Sequence, residues 1–175
     1  MGFRLFRRSA NRKLIDRLHG EIVAVARDPI FFTEYGVEDS FEGRFEMVTL
    51  HAVLVLRQLN RMAPPAPEIA QDLADAVFHS FEVGLREAGV GDISVPKRMK
   101  TIAEAFLGRG AVYDLALRAG PPDLAATLAR NVYARQKDAG RLSLYVEAAN
   151  QALANVSLKA FTEGEILFPR PSAIS

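Results

Sequence analysis

The chain is 175 residues long, 49% hydrophobic, without cysteine or tryptophan, and carries a net charge of +1 at pH 7. That length suits one domain with a substantial core, and the absence of cysteine excludes a disulfide framework, a thiolate metal site and a thiol nucleophile. The small net charge hides a split, because residues 1–17 hold Arg4, Arg7, Arg8, Arg12, Lys13 and Arg17 against Asp16 alone.

Residues 1–10 read as a basic N-terminal arm on a domain spanning 11–175. Ribosomal RNA or an anionic membrane surface would be its partner. Phe3, Leu5 and Phe6 interleave with Arg4, Arg7 and Arg8. That pattern fits a segment lying in a membrane interface, and it also fits a solvated helix start with an apolar anchor to the body. Residues 1–15 imitate a mitochondrial transit peptide, but they run without a linker into an expected helix, so the arm is read as retained. No secretory signal is expected, and the longest nearly continuous apolar run, Val48 to Leu56, falls far short of the about 20 residues that cross a bilayer. The expected location is the cytoplasm or, through the arm, the inner face of the inner membrane.

From Asn11 the spacing predicts a helix to Arg27, with Leu14, Ile15, Leu18, Ile22 and Val25 inward and Asp28-Pro29 as its stop. Phe31, Phe32 and Tyr35 follow as a short aromatic segment, read as core rather than as an exposed patch. Asp39 or Ser40 caps the next helix, and Glu42 stands at capping-box spacing from Asp39. That helix is expected to reach Arg61 with Phe41, Phe45, Val48, Ala52, Val55 and Leu59 inward. Its middle is apolar on every side, which places it at the centre of a bundle. A stiff proline-rich connector, Met62 to Glu68, leads to a helix facing inward through Leu73, Val77, Phe78, Phe81 and Leu85. Gly89 and Gly91 stop it and Pro96 restarts helical structure. Met99, Ile102, Ala103 and Phe106 make the next stripe, expected to end at Gly108. A short helix from Gly110 to Gly120, one from Pro121 to Ala139 and a last one from Leu142 to Phe161 complete the reading. Ile166, Leu167 and Phe168 are expected to pin the tail. With no strand-like alternation, the fold class is an all-α, single-domain multi-helix bundle.

Two segments resemble a known family. LREAGVGDISVPKRMK, followed by AFLGR, is similar to the signature of the ubiquinol–cytochrome c chaperones, the assembly factors for cytochrome b of the bc1 complex in mitochondria and related bacteria. SFEGRFEMVTLHAVLVLRQL resembles that family's second recognisable segment. The likeness covers most of residues 11–155. Ala88 stands where a methionine is usual and Leu107 where a tyrosine is usual, and the second change loses a hydroxyl. The resemblance implies an all-α chaperone of the respiratory chain that binds newly made cytochrome b close to the ribosome exit, without catalysis, without a cofactor and without DNA as partner. An exposed apolar groove near Phe81–Phe106 is expected to shield its transmembrane segments.

The residues themselves announce no enzyme. His19, His51 and His79 lie on different expected helices, and His51, beside an apolar stripe, reads as a satisfied core histidine rather than a ligand. No zinc-protease, phosphate-loop, nucleophile-elbow or dinucleotide pattern is present. Gly89-Val90-Gly91 follows a helix rather than a strand, which argues against a phosphate loop. Glu42 and Glu46, one turn apart, suit a solvated helix face better than an acid–base pair. Candidate partner-binding residues are Arg86, Glu87, Asp92, Lys97, Arg98, Lys100 and Arg109 around the central turn. The other reading of this charge is a salt-linked surface, as in Lys100 and Glu104 at i,i+4, with Arg86 and Arg109 fixing the turn's shape. The alternative function is a basic module for a ribosome, RNA or membrane surface.

Overall fold

A computed structural model describes residues 2–166 and 168–174, with side chains from Asn11 onward. The described residues form helices and no strand: α1 Gly2–Ala26, α2 Pro29–Thr33, α3 Phe41–Leu59, α4 Ala66–Glu87, α5 Val95–Ala119, α6 Pro121–Asn131, α7 Gly140–Ala154 and α8 Leu158–Glu163, then a 3-10 turn at Pro171–Ala173.

Helix α3 is the axis of the bundle. Every residue from Glu46 to Val55 is buried, because α1, α4, α5 and α7 pack around it. Ser40 caps α3 by accepting from the Gly43 N–H at 3.2 Å. Asp39 leaves the cap to pair with Arg44 at 2.7 Å, so the capping-box reading of Asp39 and Glu42 is replaced. Phe41, expected inward, is 42% exposed. As the first residue after the cap it precedes the part of α3 that its neighbours cover.

Several boundaries differ from the expected ones; α1 begins at Gly2 rather than at Asn11. Gly108 does not end a helix, and α5 is continuous over 25 residues. A helix-interior glycine costs only about 1 kcal/mol relative to alanine, and the burial of Phe106, Tyr113 and Ala116 along one face of α5 outweighs it. The helix from Pro121 stops at Asn131 rather than Ala139, because Ala134 and Arg135 take φ of 47° and 64°. Gly140 then opens α7 instead of closing α6. The expected last helix is two, since Ser157 caps a new one by accepting from the Ala160 N–H.

The core is one cluster joining all the long helices. Phe31 and Tyr35 are buried in it and Phe32 half-buried, as the aromatic segment predicted. His51 is fully buried and satisfied: Nδ1 lies 2.7 Å from the Met47 carbonyl and Nε2 lies 2.8 Å from the Tyr145 hydroxyl. Those partners assign the proton to Nδ1, with the tyrosine donating to Nε2. Ile166 and Phe168 pack on the core as expected, and Leu167 lies outside the described residues.

Candidate functional site

The central turn owes its shape to α4's ending. The Val90 N–H donates to the Leu85 carbonyl and the Gly89 N–H to that of Arg86, each at 3.0 Å, and Gly89 takes φ +82°. This is a Schellman end, in which glycine supplies the left-handed residue. Arg86 then donates to Glu82 on its own helix at 2.9 Å and to Asp92 across the turn. The seven candidate residues therefore separate. Arg86 and Asp92 hold the turn, while Lys97 and Arg98 stand exposed on the first turn of α5 with no ion pair among the described residues. Lys100 approaches Glu104 at 3.9 Å. Arg109 lies away from the turn and grips the buried Glu46 carboxylate, with Nη2 at 2.6 Å and Nε at 2.9 Å from its two oxygens. Arg109 thus clamps α5 to α3. Of the basic arm, Arg12 and Lys13 are exposed on α1, and Arg12 is 4.0 Å from Asp16. The side chains of Arg4, Arg7 and Arg8 lie outside the described residues.

Beside the turn lies a groove of about 780 Å³ between α1 and α4, floored by the start of α3. Val23 comes from α1, Phe45 and Val48 from α3, and Phe81, Val83 and Ala88 from α4 and its end. Phe41 and Val83 face this space and are 42% and 39% exposed. Polar groups rim it: His19 and Arg27 on one wall, Arg44 at the floor's edge, His79 and Glu87 on the other wall. The Nε2 of His19 is buried with no hydrogen-bond partner among the described residues. Burial, foremost, together with the nearby Arg27 and His79, holds the His19 imidazole below its usual pKa despite Asp16. The groove thus offers an apolar floor and aromatic edges inside a polar, charged rim that also includes Asp39, Ser40 and Ser80. Among the described residues no three His, Asp or Glu side chains are placed to share a metal.

Phe81 and Phe106 do not face each other across an opening. Their rings pack at 6.4 Å between centroids and both are buried. Open space lies on either side instead, the groove at Phe81 and a smaller cleft of about 420 Å³ between α3 and α5 at Phe106. Sequence spacing missed Phe41 and Val83 as surface residues. Ile93 was missed too, and its side chain is 98% exposed at the tip of the turn. An isoleucine between Asp92 and Ser94 in a glycine-rich loop was the available signal.

Two comparisons bear on the whole arrangement. The family model described as ubiquinol-cytochrome C chaperone matches residues 33–168, which include α3, the groove's floor, the turn and α5. The chain belongs to that family. Its fold is shared with the crystal structure of the Cbp3 homolog from Brucella abortus, at 36% identity and a TM-score of 0.89, covering 100% of both chains. No curated protein matches the sequence. The chain is an assembly chaperone of the ubiquinol–cytochrome c reductase; its described residues form helices and no strand, and none of those helices is long and apolar enough to cross a membrane.

Proposed function

We propose that the chaperone binds unassembled cytochrome b and holds one of its apolar segments in the groove between α1 and α4. The supporting observation is the pair of solvent-facing side chains Phe41 and Val83 on an apolar floor, directly beside the turn whose sequence resembles the family signature. A membrane-spanning segment out of lipid needs its apolar surface covered, and an apolar floor inside a polar rim does this without demanding a particular sequence. Ala88, where a methionine is usual, widens the groove's mouth at the turn. Arg86 and Asp92 serve by keeping that mouth in shape.

Affinity capture from detergent-solubilised membranes tests this. The intact protein should recover cytochrome b, and Val83→Glu, which sets a charge on the apolar wall at an exposed position, should reduce recovery at least about tenfold while keeping its helical spectrum. Undiminished recovery with Val83→Glu, or recovery of other proteins only, would overturn the proposal.

The turn favours a second contact. Ile93 stands fully in solvent with the exposed Lys97 and Arg98 close in sequence, an apolar tip beside cations, which suits the surface of an anionic membrane. Sedimentation with anionic vesicles should weaken steeply with salt, as charge contacts do, and should fall further in Ile93→Asp. Client capture in the groove should change little over the same salt range. Vesicle binding indifferent to both salt and Ile93 would remove this second contact.

A further inference from the structure

Helix α5 carries a bare face. Glu104, Leu107, Gly108, Ala111, Leu115 and Arg118 are all exposed, and at 3.6 residues per turn they share one stripe about 100° wide. Leu107 and Leu115 are 68% and 66% exposed, whereas Ile102, Phe106 and Tyr113 on the opposite side of the helix are buried. Two leucines one turn either side of an alanine form a packing ridge with nothing packed on it.

The stripe is complementary to itself. In an antiparallel copy centred on Ala111, Leu107 falls opposite Leu115 and Glu104 opposite Arg118, because each pair is equidistant from residue 111. Gly108 and Ala111 at the crossing let two backbones approach, and the space above Gly108 holds no atom within 4 Å of where a Cβ would sit. The charges at both ends are under-used within one chain. Among the described residues Glu104 pairs with Lys100 alone, at 3.9 Å. Arg118 is the most exposed of three arginines, with Arg57 and Arg61, that converge on the single carboxylate of Asp114. A second carboxylate would balance that surplus.

We infer that this face of α5 is an isologous interface with a second copy of the chain, the two α5 helices packing antiparallel about a two-fold axis at Ala111. Closed two-fold symmetry requires a patch that matches itself, and this stripe matches in both its apolar and its charged positions. The overlap from Glu104 to Arg118 spans about 21 Å of helix. One helix face of that length covers less than the about 800 Å² per partner of a standard-size specific interface, so the association is weak and reversible. No residue lining the groove lies on α5, so both copies keep their grooves open.

Sedimentation equilibrium of the full chain tests the inference. The mass should rise with concentration from 19.2 kDa toward twice that value. Glu104→Arg alone, or Arg118→Glu alone, sets like charges face to face twice and should weaken association at least about tenfold. An equimolar mixture of the two single variants, and the variant carrying both changes, should each recover it, which loss of folding cannot imitate. Leu107→Asp should abolish it. A mass of 19.2 kDa at every concentration, a dimer indifferent to these changes, or a mixture that fails to recover association would overturn the interface.

Discussion

At the scale of single residues, two buried polar groups set the strongest expectations. His51 is fully enclosed by Phe31, Tyr145 and Phe168, with ring centroids 5.5, 5.6 and 5.3 Å away. Burial lowers its pKa from 6.5 to about 4, and the bond to the Met47 carbonyl offsets this only in part. The unfolded chain therefore binds one more proton than the folded one between those values. Stability from this site is complete above pH 6.5 and is lost as pH falls toward 4, on the order of 3 kcal/mol across the window. His19, also lowered by burial, acts in the same direction. Urea midpoints between pH 4 and 7 should fall with acid, and His51→Gln should flatten much of that slope. Arg109 is the second case. Its two-pronged contact satisfies Glu46, whose side chain is 9% exposed, so Arg109→Ala leaves a carboxylate buried without its partner. The expected loss is about 2 kcal/mol, below the figure for a fully buried pair because Arg109 is itself partly exposed. Arg109→Lys should recover only part of it in urea unfolding, since a lysine cannot donate to both oxygens in one plane.

At the scale of helices, glycines separate packing from propensity. Gly43 lies where α3 begins, and a Cβ there would sit 1.9 Å from the Glu38 carbonyl oxygen. Gly20 lies inside α1 with nothing within 4 Å. Thermal melts should show Gly20→Ala stabilised by about 0.5–1 kcal/mol and Gly43→Ala strongly destabilised, although both are helical positions. The same contrast explains what could be read beforehand. The apolar periodicity of α3 and α4 was plain in the sequence, and the all-round apolar middle of α3 correctly marked the bundle's axis. Gly108 and Gly140 misled because a glycine records only what the backbone is permitted to do, while tertiary burial decides. Phe106 and Tyr113, one on each side of Gly108, carry α5 through it. The left-handed turn at Ala134 and Arg135 has no glycine to announce it. The site followed the same pattern. Arg86 is legible in the sequence as a residue that fixes the turn, but its partner Asp92 is not, and Arg109, read together with it, clamps α5 to α3 instead. Arg109 and Glu46 are 63 residues apart, and the groove is made by helices whose splay no local pattern encodes.

At the scale of the whole molecule, the tail closes the core over His51. After α8 the chain runs back across α1, α2 and α7, and it is held by backbone groups rather than by a helix of its own. The Ile166 N–H donates to Glu21 at 2.8 Å, the Tyr35 hydroxyl donates to the Pro171 carbonyl at 2.8 Å, and Arg141 Nε donates to the Ile174 carbonyl at 3.0 Å. Arg141 also lies 4.3 Å over the Tyr35 ring, so one cation fixes the end of the chain and the aromatic segment together. Phe168 sits edge-on to His51 and completes its apolar enclosure. Ending the chain after Gly164 would uncover His51, remove the buried Ile166 and leave Glu21 and Tyr35 without their tail partners. The expected loss is on the order of 3 kcal/mol, from lost burial and lost hydrogen bonds together. A coupled effect separates this from a simple loss of bulk. Water reaching His51 relieves the desolvation that lowers its pKa, so the imidazole should titrate nearer 6.5 in the shortened chain. Its acid-dependent loss of stability between pH 6.5 and 4 should shrink, even though the protein is weaker at every pH. Histidine proton shifts followed by NMR give the pKa directly, and urea unfolding at pH 7 and pH 5 gives the stability difference. A shortened chain that is weaker but keeps the full acid slope would mean that Phe31 and Tyr145 alone exclude water from His51, and that the tail is a fastening rather than a lid on the core.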